Sequence, residues 1–118
     1  MVVGGDYEKP NSSEGTAVYV KDKDGLHIPF TSYLEATKPR TSPHGYRSAV
    51  AYSATHKVWI TVGPNGTDVS TDDGRNWRAL RPSAGEAADA DQHWNALSLP
   101  FVVGPHGRIG TLRQDALK

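Results

Sequence analysis

The chain contains no cysteine. Disulfides, thiolate metal sites and thiol nucleophiles are excluded together, because each needs the sulfur. Long apolar runs are missing as well, so no segment reads as a membrane-spanning helix, which needs about 20 predominantly apolar residues. There is no excess of either charge: 13 Lys and Arg offset 13 Asp and Glu. The basic footprint of a protein that binds nucleic acid or an anionic membrane is therefore not expected. The opening residues Met1-Val2-Val3-Gly4-Gly5 offer neither a basic n-region nor an apolar h-region. No signal peptide is read there, and the sequence carries no address of its own. Long helices are not expected either, since 12 glycines and 8 prolines punctuate 118 residues.

What is present is a series of short apolar runs, many β-branched or aromatic, bounded by Gly, Pro, Asn and Asp. That pattern predicts strands and turns. Strands are expected near Val2–Gly5, Thr16–Val20, His27–Ser32, Arg47–Ser53, Lys57–Val62, Thr67–Thr71, Asn76–Leu80, Trp94–Leu99, Phe101–Val103 and Arg108–Leu112. Tight turns are expected at Gly63-Pro64-Asn65-Gly66, at Asp73-Gly74 and at Gly104-Pro105-His106-Gly107. Asn65-Gly66 predicts a primed hairpin turn, because both residues tolerate positive φ. Ser83 to Gln92, acidic and alanine-rich, reads as a turn or two of helix or as an exposed connection.

An internal repeat organises these pieces. "VWITVGPNGTDVS" (Val58–Ser70) and "PFVVGPHGRIGTL" (Pro100–Leu112) share an apolar strand, Val-Gly-Pro-x-Gly and a second strand. "MVVGG" begins a third copy with an enlarged turn. A period of about 40 residues with four short strands per unit is that of a β-propeller blade. The expected fold is all-β, with blades of four-stranded antiparallel sheets. Residues 1–33 form a partial blade, 46–81 a complete one and 94–113 a partial last one, joined by loops 34–45 and 82–93. This makes about two and a half blades, whereas closed propellers have about four to eight. Sheets at the two ends then keep uncovered apolar faces, which predicts a segment of a larger propeller, a self-associating one, or an open or repacked small β-domain.

The stretch "STDDGRNW" (Ser70–Trp77) carries the most specific pattern: Ser70-x-Asp72-x-Gly74-x-x-Trp77. With "GYRSAVAY" (Gly45–Tyr52) before it and "VGPHGRIGTL" after it, the chain resembles the Asp-box, or BNR-repeat, propellers related to sialidases. It resembles in particular the C-terminal blades of bacterial propellers similar to the photosystem II assembly and stability factor family. At the corresponding place in the first unit stands "VKDKDGLHI", with Ile28 at the tryptophan position. In chemical terms the box is a structural turn. The Asp72 carboxylate accepts main-chain N–H bonds across it, Gly74 supplies a conformation costly for other residues, Ser70 bonds the carboxylate or nearby backbone, and Trp77 covers the hairpin. The resemblance implies a non-catalytic scaffold or binding module, with a protein partner or with self-association through open blade edges. The alternative is a fragment of a glycan-active, sialidase-like enzyme completed by missing blades or other subunits. Its parent family is often exported in bacteria.

Other chemistries find little purchase. Asp68, Ser70 and Asp72 alternate like the start of an EF-hand, but the glycine comes one place late and Ala79 stands where a bidentate Glu belongs. His27, His44, His56, His93 and His106 are scattered without His-x-x-x-His spacing. No metal and no cofactor is expected. A phosphate loop and a serine-hydrolase elbow both lack their defining residues. A sialidase needs a tyrosine nucleophile backed by a glutamate, and three arginines. Tyr46, Arg47, Arg108, Glu35 and Glu86 do not form that set on one arc, so no residue is assigned a catalytic role. The candidate ligand surface is the loop at Tyr46 and Arg47, with Arg108 as a further contributor, because such residues anchor interfaces. The competing reading packs Tyr46 at a sheet edge and pairs Arg47 with an acidic neighbour such as Asp68. The sequons at Asn11 and Asn65 read as turn chemistry.

Overall fold

The fold is that of a computed structural model, which describes residues 1–22 and 34–117. It is all-β, with every named strand in an antiparallel sheet. A first sheet holds β1 (Val2–Val3), β2 (Ala17–Asp22) and β3 (Leu34–Thr37). A second holds β4 (Ala49–Ser53), β5 (Val58–Gly63), β6 (Gly66–Ser70) and β7 (Arg78–Leu80). A third holds β8 (Ala96–Ser98), β9 (Phe101–Val103) and β10 (Ile109–Thr111). In each sheet the strands follow one another in chain order, the meander that short turns produce. The strand expected at His27–Ser32 lies outside the described residues. The other expected strands each have a counterpart within a few residues.

Two expectations need correction. Residues 34–45 read as a loop, yet Leu34–Thr37 forms β3, paired with β2 through Tyr19↔Thr37 and Val20↔Ala36. Glu and Ala are weak strand formers, and the partner strand overrides that propensity. The hairpin between β5 and β6 does not turn on Asn65-Gly66. Gly63 pairs with Gly66, so the central residues are Pro64 and Asn65. Pro64 fixes φ near about −65°, which a primed turn cannot accept at its first central residue. Asn65, the second central residue, keeps a negative φ as well.

The core sits between the second and third sheets. Val58, Ile60 and Val62 alternate along β5, and the register Ile60↔Val69 and Thr67↔Leu80 sets Val69 and Leu80 on the same face. Against this face pack Leu97, Val102 and Leu112, with Leu117 and Trp94 closing the two ends. β6 is buried at every position, as a strand covered on both faces must be. Its other face, with Asp68 and Ser70, is polar, and so is the wall formed by Thr61 on β5.

The sheets are locked together by a motif that occurs twice. Thr16, beside β2, turns its hydroxyl toward two carbonyls, Ser13 O at 2.9 Å and, in the segment that leads into the second sheet, Pro43 O at 3.2 Å. Thr67, on β6, donates to the Asp91 carbonyl of the segment that leads into the third, at 2.8 Å. Both threonines are buried. Main-chain bonds run beside each lock: Arg47 N–H to Gly4 O and Tyr46 N–H to Pro10 O in the first case, His93 N–H to Pro64 O in the second.

Candidate functional site

The "STDDGRNW" turn closes on itself. Asp72 Oδ1 accepts from the Ser70 hydroxyl and from the Asn76 main-chain N–H, both at 2.8 Å. Asp72 Oδ2 accepts from the Asn76 side-chain amide at 2.7 Å. Ser70 Oγ in turn accepts from Gly74 N–H at 2.8 Å, and Trp77 donates its indole N–H to the Gly74 carbonyl at 3.1 Å. Asp73 and Gly74 hold φ of 64° and 87°, the left-handed region that Gly, and Asp less readily, adopts. Partial burial works against the charged Asp72 carboxylate, but the bonds from Asn76 and Ser70 outweigh it and hold its pKa below the usual carboxylate value. The outer side of the turn is occupied too. The segment from the first sheet passes along it, with Arg40 N–H on Arg75 O, Trp77 N–H on Thr41 O and the Thr41 hydroxyl on Asn76 Oδ1. The turn is thereby a clasp between sheets as well.

Tyr46 and Arg47 enter β4 from the segment that follows the first sheet. Arg47 is fully buried. Its Nε donates to Asp68 Oδ2 at 3.0 Å and Nη2 bonds the same oxygen. Nη1 donates to Tyr46 O and to Asn65 Oδ1, both at 2.7 Å. Burial pulls the guanidinium pKa down from its ordinary value, while the Asp68 charge and hydrogen bonds push it back up. His44 completes the cluster: its Nδ1 lies 2.8 Å from Asp68 Oδ1 and 3.0 Å from Arg47 Nη2, and its Nε2 lies 3.4 Å from the Asn65 carbonyl oxygen. Arg47 thus meets Asp68 rather than a ligand, which would have to displace these partners to touch it. Tyr46 is half-buried against Gly5 of the first sheet.

Arg108 stands elsewhere. Its guanidinium stacks over the Trp94 ring at 4.3 Å and donates to the Asp89 carbonyl at 3.2 Å. It shares no hydrogen-bond partner with Arg47. Of the three residues expected to build one ligand surface, Arg108 therefore stands apart from Tyr46 and Arg47.

A recess lies where sequence reasoning saw only a connection. It has a volume of about 250 Å³ and runs between β7, the 82–93 connection and β10. Leu80, Pro82, Ala87 and Leu112 form apolar walls, Arg81 and Arg113 stand at its margin, and Asp91 and Trp94 lie deep inside. The signal that could have marked it is the alignment of "DQHWNAL" with "HGYRSAV" before the repeat strands. It places Asp91 and Trp94 where His44 and Arg47 stand in the preceding unit, both buried-cluster positions. Among the described residues no group of three or more His, Asp and Glu is placed to hold a metal ion, and no helix is long and apolar enough to cross a membrane. No family model, curated protein or solved structure matches the chain.

Proposed function

We propose that this chain is a scaffold built of propeller-type, Asp-box blades, and that it works by docking its uncovered sheet faces, first of all onto a second copy of itself. One observation carries the reading. In the third sheet Leu97 and Val102 face the core, while the alternate residues Phe101, Val103 and Ile109 point outward, exposed by 53%, 40% and 70%. The register Ile109↔Val103 joins two of them side by side, and Phe101 shares their face. An apolar stripe of this kind on an exposed sheet marks an interaction surface. The outer face of the first sheet carries a smaller counterpart, with Val2 paired opposite Val18. The second sheet, by contrast, has a neighbour on each side. Head-to-tail contact between the outer third-sheet face of one copy and the outer first-sheet face of another would extend the same stacking. Such heterologous contact closes into rings or runs on into filaments.

Size-exclusion chromatography with light scattering tests this. The expected result is a defined oligomer that Ile109→Lys, a change at an exposed position, converts to monomer without lowering the melting temperature of the isolated chain. A wild type that stays monomeric up to high micromolar concentration overturns the reading. The buried Arg47 and the self-satisfied Asp72 support a structural rather than a catalytic use of the chemistry in this chain.

A further inference from the structure

We infer that the recess above Asp91 is a binding site for a small alkylammonium group, free or at the end of a lysine-like side chain. The Asp91 carboxylate lies in this recess with only 5% of its side chain exposed. Among the described residues neither of its oxygens accepts a hydrogen bond. The backbone holds it there: Thr67 Oγ1 bonds its carbonyl at 2.8 Å, and the adjoining turn is fixed by Gln92 N–H on Asp89 O. An ionised carboxylate held out of water without hydrogen bonds is costly. The nearest cationic group is Arg81, whose Nη1 stands 3.7 Å from Oδ2. That is beyond hydrogen-bond reach, and the Arg81 side chain is 67% exposed, so it offsets little of the cost. Arg47 feels the Asp91 charge through space, but its donors are used on Asp68, Asn65 and Tyr46.

The surroundings choose the ligand. The apolar walls suit a methylene stem, and the carboxylate in the interior suits a compact ammonium with three donors. A volume of about 250 Å³ falls just below the roughly 300–1,000 Å³ of drug-sized sites, which favours a ligand of a few carbons. An anion is disfavoured despite the arginines nearby. Arg113 is engaged by Asp115, Glu86 and Ser83, and Arg108 by Asp89 and the Trp94 ring. Any anion reaching the interior would meet Asp91.

The experiment is a titration of the full chain with n-butylammonium chloride, followed by amide and indole NMR. The Trp94 indole N–H, which donates to Ala90 O at 2.9 Å, is the local reporter. Saturable shifts at Trp94 and Asp91 are expected with n-butylammonium, and none with n-butanol or n-butyrate. Asp91→Asn is expected to weaken binding by about 30-fold or more, the scale for removing one partner of a buried charge pair. Ala87→Trp, at an exposed wall position, is expected to abolish binding while the spectrum stays folded, and so serves as a second variant if Asp91→Asn disturbs the fold. Equal response to n-butyrate, unchanged binding in both variants, or no saturable shift in the folded wild type each overturns the inference. In the last case the buried carboxylate is simply hydrated.

Discussion

Asp72 and Arg47 show how the same charge chemistry is used at two depths. Asp72 is only partly buried and collects three donors from its own turn. Replacing it with alanine strands those donors, and a loss of about 1–3 kcal/mol is expected in urea unfolding. Its pKa is lowered by folding, so its contribution is fully present above the unfolded carboxylate value of about 3.9. That contribution is lost as pH falls through the lower folded value. Asp72→Asn should therefore show a shallower loss of stability below about pH 4 than the wild type, and parallel acid profiles would contradict the assignment. Arg47 and Asp68 are a buried pair, and their net value is set by desolvation against attraction. Arg47→Met alone should cost about 3–5 kcal/mol, because Asp68 is left charged and buried. Adding Asp68→Leu should recover part of that loss in a double-mutant cycle, since it removes the unpaired buried charge while leaving the His44 contacts to Asp68 unmade. The pairing was legible as one of two readings of "YRSAV". The burial that decides between them was not, because it depends on His44, Asn65 and the first sheet arriving around Arg47.

At the scale of elements, turns join sheets as well as strands. The β5–β6 turn gives its Asn65 side chain to Arg47, to the His44 carbonyl and to Asn11 of the first unit. Gly63, just before it, lies so close to the Tyr46 carbonyl that an added Cβ would collide with it. Gly63→Ala should therefore separate the Tyr46 segment from β5 and cost about 1–3 kcal/mol. A melting temperature unchanged from wild type would show that the segment yields freely. The strand pattern was readable here because period-2 alternation and Gly-Pro punctuation are local signals. β3 was not readable: its strand state comes from β2 and not from its own residues. The turn register was misread for a related reason. Asn-Gly is a hairpin signal only where the residue before it permits the primed geometry, and Pro64 does not.

For the whole molecule, coverage should rank the stability of the sheets. The second sheet is covered on both sides, whereas the first and third each have an outer face exposed, so amides of β5 and β6 are expected to exchange slowest with deuterium. The β10 amides should exchange by smaller openings. Equal protection in β6 and β10 of the monomeric chain would mean that the three sheets open as one unit. The paired threonine locks give the same physical account: each sheet is fastened to the next by one buried hydroxyl and a few main-chain bonds.

The sequence by itself determined the all-β class, the strand order and the inward chemistry of the Asp72 turn. Each depends on residues close together in the chain, where alternation, proline and glycine act directly. Tertiary structure alone decided that Arg47 is buried on Asp68, that Arg108 stands apart on Trp94, and that Asp91 lies in a recess without a hydrogen bond to its carboxylate among the described residues. Those outcomes depend on which segments meet across three sheets, and desolvation, which sets the energy of every charge involved, exists only once they have met.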